Sequence, residues 1–201
     1  MTPTASTGGA GSSGGRLFLV RHGKPSVQPG LAPDQWQLDP AGHPAIESLR
    51  ESGRLPAYAR WFSSPEPKAL DTARLLTDAE ITVVADLREH ERGPTPWFDD
   101  LAEWRALVRR VFAEPDRPAY PGWEPLRATR DRVVPAVRAI LAAHPGEDVV
   151  LAGHGTAWTA LRAELTDSPP DLDAWDALEM PDVWVLPSDV IAGGRDHSRF
   201  G

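Results

Sequence analysis

The sequence predicts an α/β fold, a three-layer α/β/α sandwich around a mostly parallel central sheet. Short apolar runs of strand length recur along the chain, and amphipathic helical patterns separate them. Two of the runs end directly in a His-Gly pair, which places imidazoles at strand ends. Two hundred and one residues, 41% of them hydrophobic and 25% charged, suit one domain with a sizeable core.

The elements follow in order. Residues Thr2 to Gly15 are all Gly, Ser, Thr, Ala or Pro, so residues 1–15 read as a flexible leader and 16–201 as the folded domain. Leu17-Phe18-Leu19-Val20 is a buried strand running into Arg21-His22-Gly23. Asp39 caps a helix with Pro40 in its first turn, and Gly53 stops it. Tyr58–Phe62 is a second strand, and Ser64-Pro65 opens the helix that carries Ala69, Leu70, Ala73 and Leu76 on one side. Ile81–Val84 is a β-branched third strand, followed by a loop over residues 93–100. Helices are expected over Leu101–Phe112 and Leu126–Ala143, with Pro135 kinking the second or marking its start. Asp148–Ala152 is the clearest buried strand. It leads into Gly153-His154-Gly155 and a helix through Leu165, and Val183–Leu186 forms a last strand.

Composition narrows the function classes. The absence of cysteine removes disulfides, thiolate metal sites and cysteine nucleophiles. A net charge of -8 argues against nucleic-acid and acidic-membrane partners, and no apolar run approaches a membrane span. Met1–Gly15 lacks the pattern of a signal peptide, so a cytoplasmic location is expected. The six histidines show no metal-ligand spacing. A dinucleotide fingerprint at Gly153-x-Gly155 fails because Trp158 stands at the third-glycine position. No metal and no cofactor is expected.

Ligands of open α/β sheets bind beyond the carboxyl ends of the strands. That rule selects Arg21-His22-Gly23 and Gly153-His154-Gly155. Ser63 to Ala73 adds a strand end, a helix N-terminus and Lys68, which together suit an anion. Asp86 to Gly93 is a run of charge that, taken alone, reads as a solvated loop. His43 and His144 take structural readings, His43 as an exposed first-turn residue and His144 at a helix C-terminus. His197 lies in a polar tail, and His90 either points away from the pocket or lines its rim. Trp61, Trp158 and Trp184 fit packing roles, whereas Trp36, Trp97 and Phe98 fall in loops on the pocket side.

These four stretches, in this order, resemble the histidine phosphatase superfamily, the phosphoglycerate-mutase-like fold. Its strand ending in Arg-His-Gly is matched by Leu17–Gly23, and its Leu-Thr-x-x-Gly helix start loosely by Leu38–Gly42. Ser63–Ala73 matches Ser-Ser-Pro-x-x-Arg-Ala-x-x-Thr-Ala except that Lys68 replaces the arginine. Leu87-Arg88-Glu89 matches the Leu-x-Glu acid motif, and Val149–Gly155 matches the strand ending in His-Gly. The resemblance implies phosphomonoester hydrolysis through a phosphohistidine on His22. Arg21, Lys68, His154, Gly155 and Gln28 would contact the phosphoryl oxygens, and Glu89 would be the general acid and base. The substrate would be a small phosphorylated molecule. Mutase chemistry and an idle phospho-ligand module remain as alternatives. Lys68, the Lys24, Pro25 and Gln28 loop, and the short segment between Glu89 and His154 all depart from the family pattern.

Overall fold

The central strands are buried on both faces and sort the core into two layers. In the computed structural model, which describes residues 14–93, 98, 100–187 and 191, the first strand is β1 (Leu17–Arg21). Leu17 and Leu19 pack on one side of the sheet, and Phe18 and Val20 on the other, because successive side chains of a strand point to opposite faces. The further strands are β2 (Arg60–Ser63), β3 (Ile81–Val83), β4 (Val149–Gly153) and β5 (Asp182–Leu186). Their order is β3-β2-β4-β1-β5, parallel except for β5, which pairs antiparallel with β1. The expected mostly parallel sheet is therefore present.

The described residues form six α-helices: α1 (His43–Glu51), α2 (Pro67–Leu76), α3 (Leu101–Ala113), α4 (Leu126–Ala143), α5 (Gly155–Thr166) and α6 (Leu172–Asp176). The first face buries Ile46 and Leu49 of α1 and Leu76 of α2 with Phe18 and Val20. The second buries Val133, Val137 and Ile140 of α4 and Trp158 and Leu161 of α5 with Leu17 and Leu19. Each such side chain contributes about 1.5–3 kcal/mol when fully buried. A third cluster of Val111, Ala119, Trp123, Leu126 and Ala160 joins α3 to the outside of α5. Among the described residues no helix is long and apolar enough to cross a membrane.

Several element boundaries move. Tyr58 is 91% exposed and lies outside the sheet, which β2 enters only at Arg60, opposite Val149. Ser64-Pro65 does not open α2. The Ser64 hydroxyl accepts the Glu66 N–H, Glu66 stays extended, and the helix begins at Pro67. Asp39 does cap its segment by accepting the Ala41 N–H, but a 3-10 turn over Pro40–Gly42 precedes α1. Pro135 lies inside α4, so the helix starts at Leu126. The short α6, five residues long, begins after Asp171, whose side chain accepts the Ala174 N–H. All but Gly14 and Gly15 of the leader, as well as Trp97 and His197, lie outside the described residues.

Candidate active site

Register builds the first half of the site. Arg21 pairs with Gly153 across the β1–β4 ladder, and the His22 N–H donates to the Gly153 carbonyl at 2.9 Å. His22 and His154 are thus neighbours at adjacent strand ends, with ring centroids 5.3 Å apart. β2 delivers Ser64 on the other side of β4, its N–H donating to Ala152 at 2.9 Å. A Cβ on Gly23 would stand 2.7 Å from Ile46 Cδ1 and 3.0 Å from Leu38 Cδ1, so a side chain there would displace the ends of two core residues. Its N–H donates to the Thr72 hydroxyl at 2.9 Å, which ties the His22 loop to α2.

A hydrogen bond fixes the tautomer of His22. Nδ1 lies 2.7 Å from the Gly23 carbonyl, an acceptor only, so Nδ1 carries the proton and Nε2 keeps its lone pair. Burial, then the cationic neighbourhood of His154 and Lys68, holds this imidazole well below its ordinary range and keeps it neutral at pH 7. His154 is depressed in the same way, by burial first and Lys68 next. Its Nε2 lies 2.8 Å from the Ser64 hydroxyl, while its buried Nδ1 has no partner among the described residues. The Ser64 hydroxyl and the Glu66 carboxylate, whose Oε1 lies 3.3 Å away, share this Nε2.

The second half arrives from the sheet edge. After β3 a 3-10 turn over Ala85–Leu87 buries Leu87 completely and turns the chain back across the strand ends. Glu89 reaches the N-terminus of α5, where its carboxylate accepts the N–H groups of Ala157 at 2.8 Å and Thr156 at 3.2 Å. Burial pushes this carboxyl up, but Arg92, His154 and the amides of His90 and Ala157 outweigh burial and bring it to about 2. Glu89 is therefore ionised at pH 7. Arg132 of α4 pins the loop from behind, donating to the Glu89 carbonyl at 2.6 Å and pairing with Glu124 at 2.8 Å.

Of the residues singled out in the sequence, Arg21, His22, Lys68, Glu89, His154 and Gly155 converge here. The Arg21 guanidinium is anchored by the Leu178 carbonyl at 2.6 Å, and its buried Nε lies 3.5 Å from where a Cβ on Gly155 would stand. Lys68 is 3% exposed and binds the Glu66 carboxylate and the Pro33 carbonyl, the latter at 2.6 Å. The loop that carries Trp36 is thereby tied to the site. Gln28 is exposed beside a turn, and among the described residues no hydrogen bond joins its side chain to the cluster. His90 is not on the rim: it is buried against Trp123 with Nε2 2.8 Å from the Glu124 carbonyl. His43 is half-buried rather than exposed, and His144 sits at the end of α4 with Nδ1 3.2 Å from Glu147. Phe98 packs into an aromatic cluster with Trp104 and Tyr120.

Sequence reasoning assigned no role to Glu66 or Arg92. Glu66 Oε1 accepts the Glu89 N–H at 2.7 Å and stands 3.3 Å from His154 Nε2, while Oε2 holds Lys68. One buried carboxylate thus touches three of the site residues. Its only signal was a charged residue directly before a proline-initiated helix. Arg92 was hidden in a charge run read as solvated, although Glu89, His90 and Arg92 are drawn inward while Asp86 and Glu91 stay exposed.

A neutral imidazole beside an arginine, a lysine and a second histidine, with a buried carboxylate close by, suits phosphoryl transfer to a histidine. The chain belongs to the histidine phosphatase superfamily, whose branch 1 profile matches residues 17–183. It is 26% identical over 173 residues to the uncharacterized phosphatase PhoE of Bacillus subtilis, covering 79% of this chain and 81% of that one. A mycobacterial glucosyl-3-phosphoglycerate phosphatase complexed with VO3 superposes with a TM-score of 0.65 at 26% identity, covering 85% and 92% of the two chains. Phosphoserine phosphatase of Entamoeba histolytica in complex with 3-phosphoglyceric acid shares the fold, with a TM-score of 0.63, 15% identity and coverage of 85% and 89%.

Proposed function

We propose that the protein hydrolyses a small phosphomonoester, without a metal ion, through a phosphohistidine on His22. The observation that carries this reading is the free Nε2 of a neutral His22, set by Nδ1–H donating to Gly23 at 2.7 Å beside the cationic cluster. Nε2 attacks phosphorus in line, and the bond to the ester oxygen breaks as that oxygen takes a proton from Glu89. Water then attacks the phosphohistidine, Glu89 accepts its proton, and phosphate leaves with Nε2 restored. Arg21, Lys68 and His154 contact the transferred oxygens, with the Gly155 backbone leaving room for them. Gln28 would join only if the exposed loop closes over the ligand. A cytoplasmic setting is part of the same proposal.

The low position of Glu89 shapes this cycle. An ionised carboxylate cannot donate, so its proton must arrive with the substrate. A phosphomonoester, with a second pKa of about 6, enters as the monoanion or as a dianion that raises Glu89 and His154 by its own charge. Substrate binding is then coupled to proton uptake.

The test is aryl phosphate hydrolysis in excess chelator. Turnover persists, and His22→Ala removes it by about 10⁴-fold or more together with the acid-labile phosphoenzyme. Chelator-sensitive turnover, or an active His22→Ala chain, overturns the reading. Tight phosphate binding without turnover identifies an idle module instead.

A further inference from the structure

Lys68 stands where the family pattern has an arginine, and the two cations do not bring the same geometry. A guanidinium is a rigid planar fork, whereas an ammonium is a point charge on a flexible four-carbon stem. Lys68 is nonetheless held at both ends. Its carbonyl, in the first turn of α2, accepts the Thr72 hydroxyl at 2.6 Å, the same hydroxyl that accepts the Gly23 N–H. At the other end, Nζ donates to the Pro33 carbonyl at 2.6 Å and to Oε2 of Glu66. An ammonium carries three N–H donors and no acceptor. Among the described residues no further acceptor meets Nζ, so one N–H is left over, and the two anchored bonds fix its direction.

Glu66 is equipped to do the holding. It is the N-cap of α2, yet its carboxylate makes no capping bond to its own helix. The side chain turns into the site instead, where it is buried. Oε1 accepts the Glu89 N–H at 2.7 Å and lies 3.3 Å from His154 Nε2. The Glu66 N–H donates to the Ser64 hydroxyl at 3.2 Å. Contacts from the acid loop and from the ends of β2 and β4 thus keep the carboxylate from rotating away from Nζ. His154 is held low by burial and then Lys68, and His22 by burial, then His154 and Lys68, so the ammonium charge is felt at both rings.

We infer that Glu66 is a positioning residue: together with the Pro33 carbonyl it aims the Lys68 ammonium at the phosphoryl group, giving a lysine the fixed direction that an arginine carries in its own fork. This rests on the phosphatase reading, which sets a phosphoryl group beside Lys68. The consequence is specific to this pair. Glu66 is needed for transfer only while position 68 is a lysine. An arginine there needs no aiming, and an intact Glu66 would draw its fork away into a bidentate pair.

The experiment is a double-mutant cycle between positions 66 and 68, read as kcat/KM on nitrophenyl phosphate and on an alkyl phosphate. Thermal unfolding confirms that each chain is folded. In the parent, Glu66→Gln lowers kcat/KM about 10- to 100-fold, by the same factor on both substrates, because they share the phosphoryl group. In Lys68→Arg the same substitution lowers kcat/KM by no more than about threefold, or raises it. Lys68→Ala stands in if the arginine variant does not fold or turn over, and there too Glu66→Gln adds no loss beyond about threefold. Glu66→Asp, which keeps the charge but draws it back from Nζ, replaces Glu66→Gln if that chain does not fold. Equal losses whatever stands at position 68 make Glu66 a support for His154 and overturn the inference. A loss confined to the alkyl phosphate assigns Glu66 to the Glu89 loop and overturns it as well. So does a Glu66→Gln chain with parental kcat/KM. If the parent hydrolyses neither substrate, the phosphatase reading itself fails, and this inference with it.

Discussion

His22 and His154 stand where the ladder between β1 and β4 puts them, whereas Glu89 and Arg92 are held by contacts from distant parts of the chain. The first pair needs only two neighbouring parallel strands in register, Arg21 opposite Gly153. The second pair needs Arg132 of α4, Glu66 ahead of α2, the first amides of α5 and two tryptophans from the outer cluster. Strand ends are thus rigid by construction, and a loop becomes comparably ordered only when polar contacts satisfy it from several sides. The division also matches the chemistry. In the proposed cycle the nucleophile belongs to the sheet, and the acid that would meet a variable leaving group belongs to the loop.

The largest expected effect separates these halves by leaving group. Glu89→Gln should slow hydrolysis of alkyl phosphates by about 10²–10⁴-fold and of nitrophenyl phosphate far less, because a good leaving group needs little protonation. Measured kcat/KM on both substrates decides it. Equal losses would mean that the loop supports the nucleophile as well, and the two halves would not be separable. Linkage gives a second signature in the same variant. The folded-state pKa of Glu89 lies near 2, below the ordinary 4.5, so its stabilising contribution is full above about pH 4.5 and fades as pH falls toward 2. Glu89→Gln should therefore flatten the rise in stability between those two values.

The same comparison explains what the sequence made legible. Four-residue apolar runs leading into His-Gly announce both strand ends, and their unbroken apolar character marks strands buried on both faces before any tertiary contact is known. The antiparallel sense of β5 is not readable in that way, because a buried run looks alike in either direction. Glu66 and Arg92 are illegible for a different reason. Their burial depends on partners 23 and 64 residues away, Glu89 and Thr156, and nothing local distinguishes them from solvated charges. Lys68 lies between these cases: its place on the first turn of α2 is legible, while its pairing with Glu66 is not.

Lys68 therefore offers the next test. Lys68→Ala should lower kcat/KM by about 10–100-fold if its ammonium meets the phosphoryl group in the transition state. The variant also strands Glu66 as a buried carboxylate without its cation, which costs about 3–5 kcal/mol of stability. Adding Glu66→Gln removes the stranded charge. The double variant should recover most of the stability and little of the rate. Recovery of both would make Lys68 a partner for Glu66 alone.

The smallest effect is expected at Gly153, on the sheet side. A Cβ there would stand 2.4 Å from Trp158 Cζ2, far inside van der Waals contact. Trp158 cannot simply swing aside, because it is 1% exposed and its indole N–H donates to the Val20 carbonyl at 2.9 Å. Gly153→Ala must therefore overpack the layer between β4 and α5, at about 1–3 kcal/mol. Strand-end residues are fixed by global packing, so the loss should appear as a lower Tm with both leaving-group classes slowed alike, if at all. Thermal unfolding together with kcat/KM on alkyl and nitrophenyl phosphates reads this directly. A selective loss on alkyl phosphates would show that Trp158 transmits strain along α5 to the amides that hold Glu89. In that event the sheet would tune the acid loop, and the division between the two halves would fall.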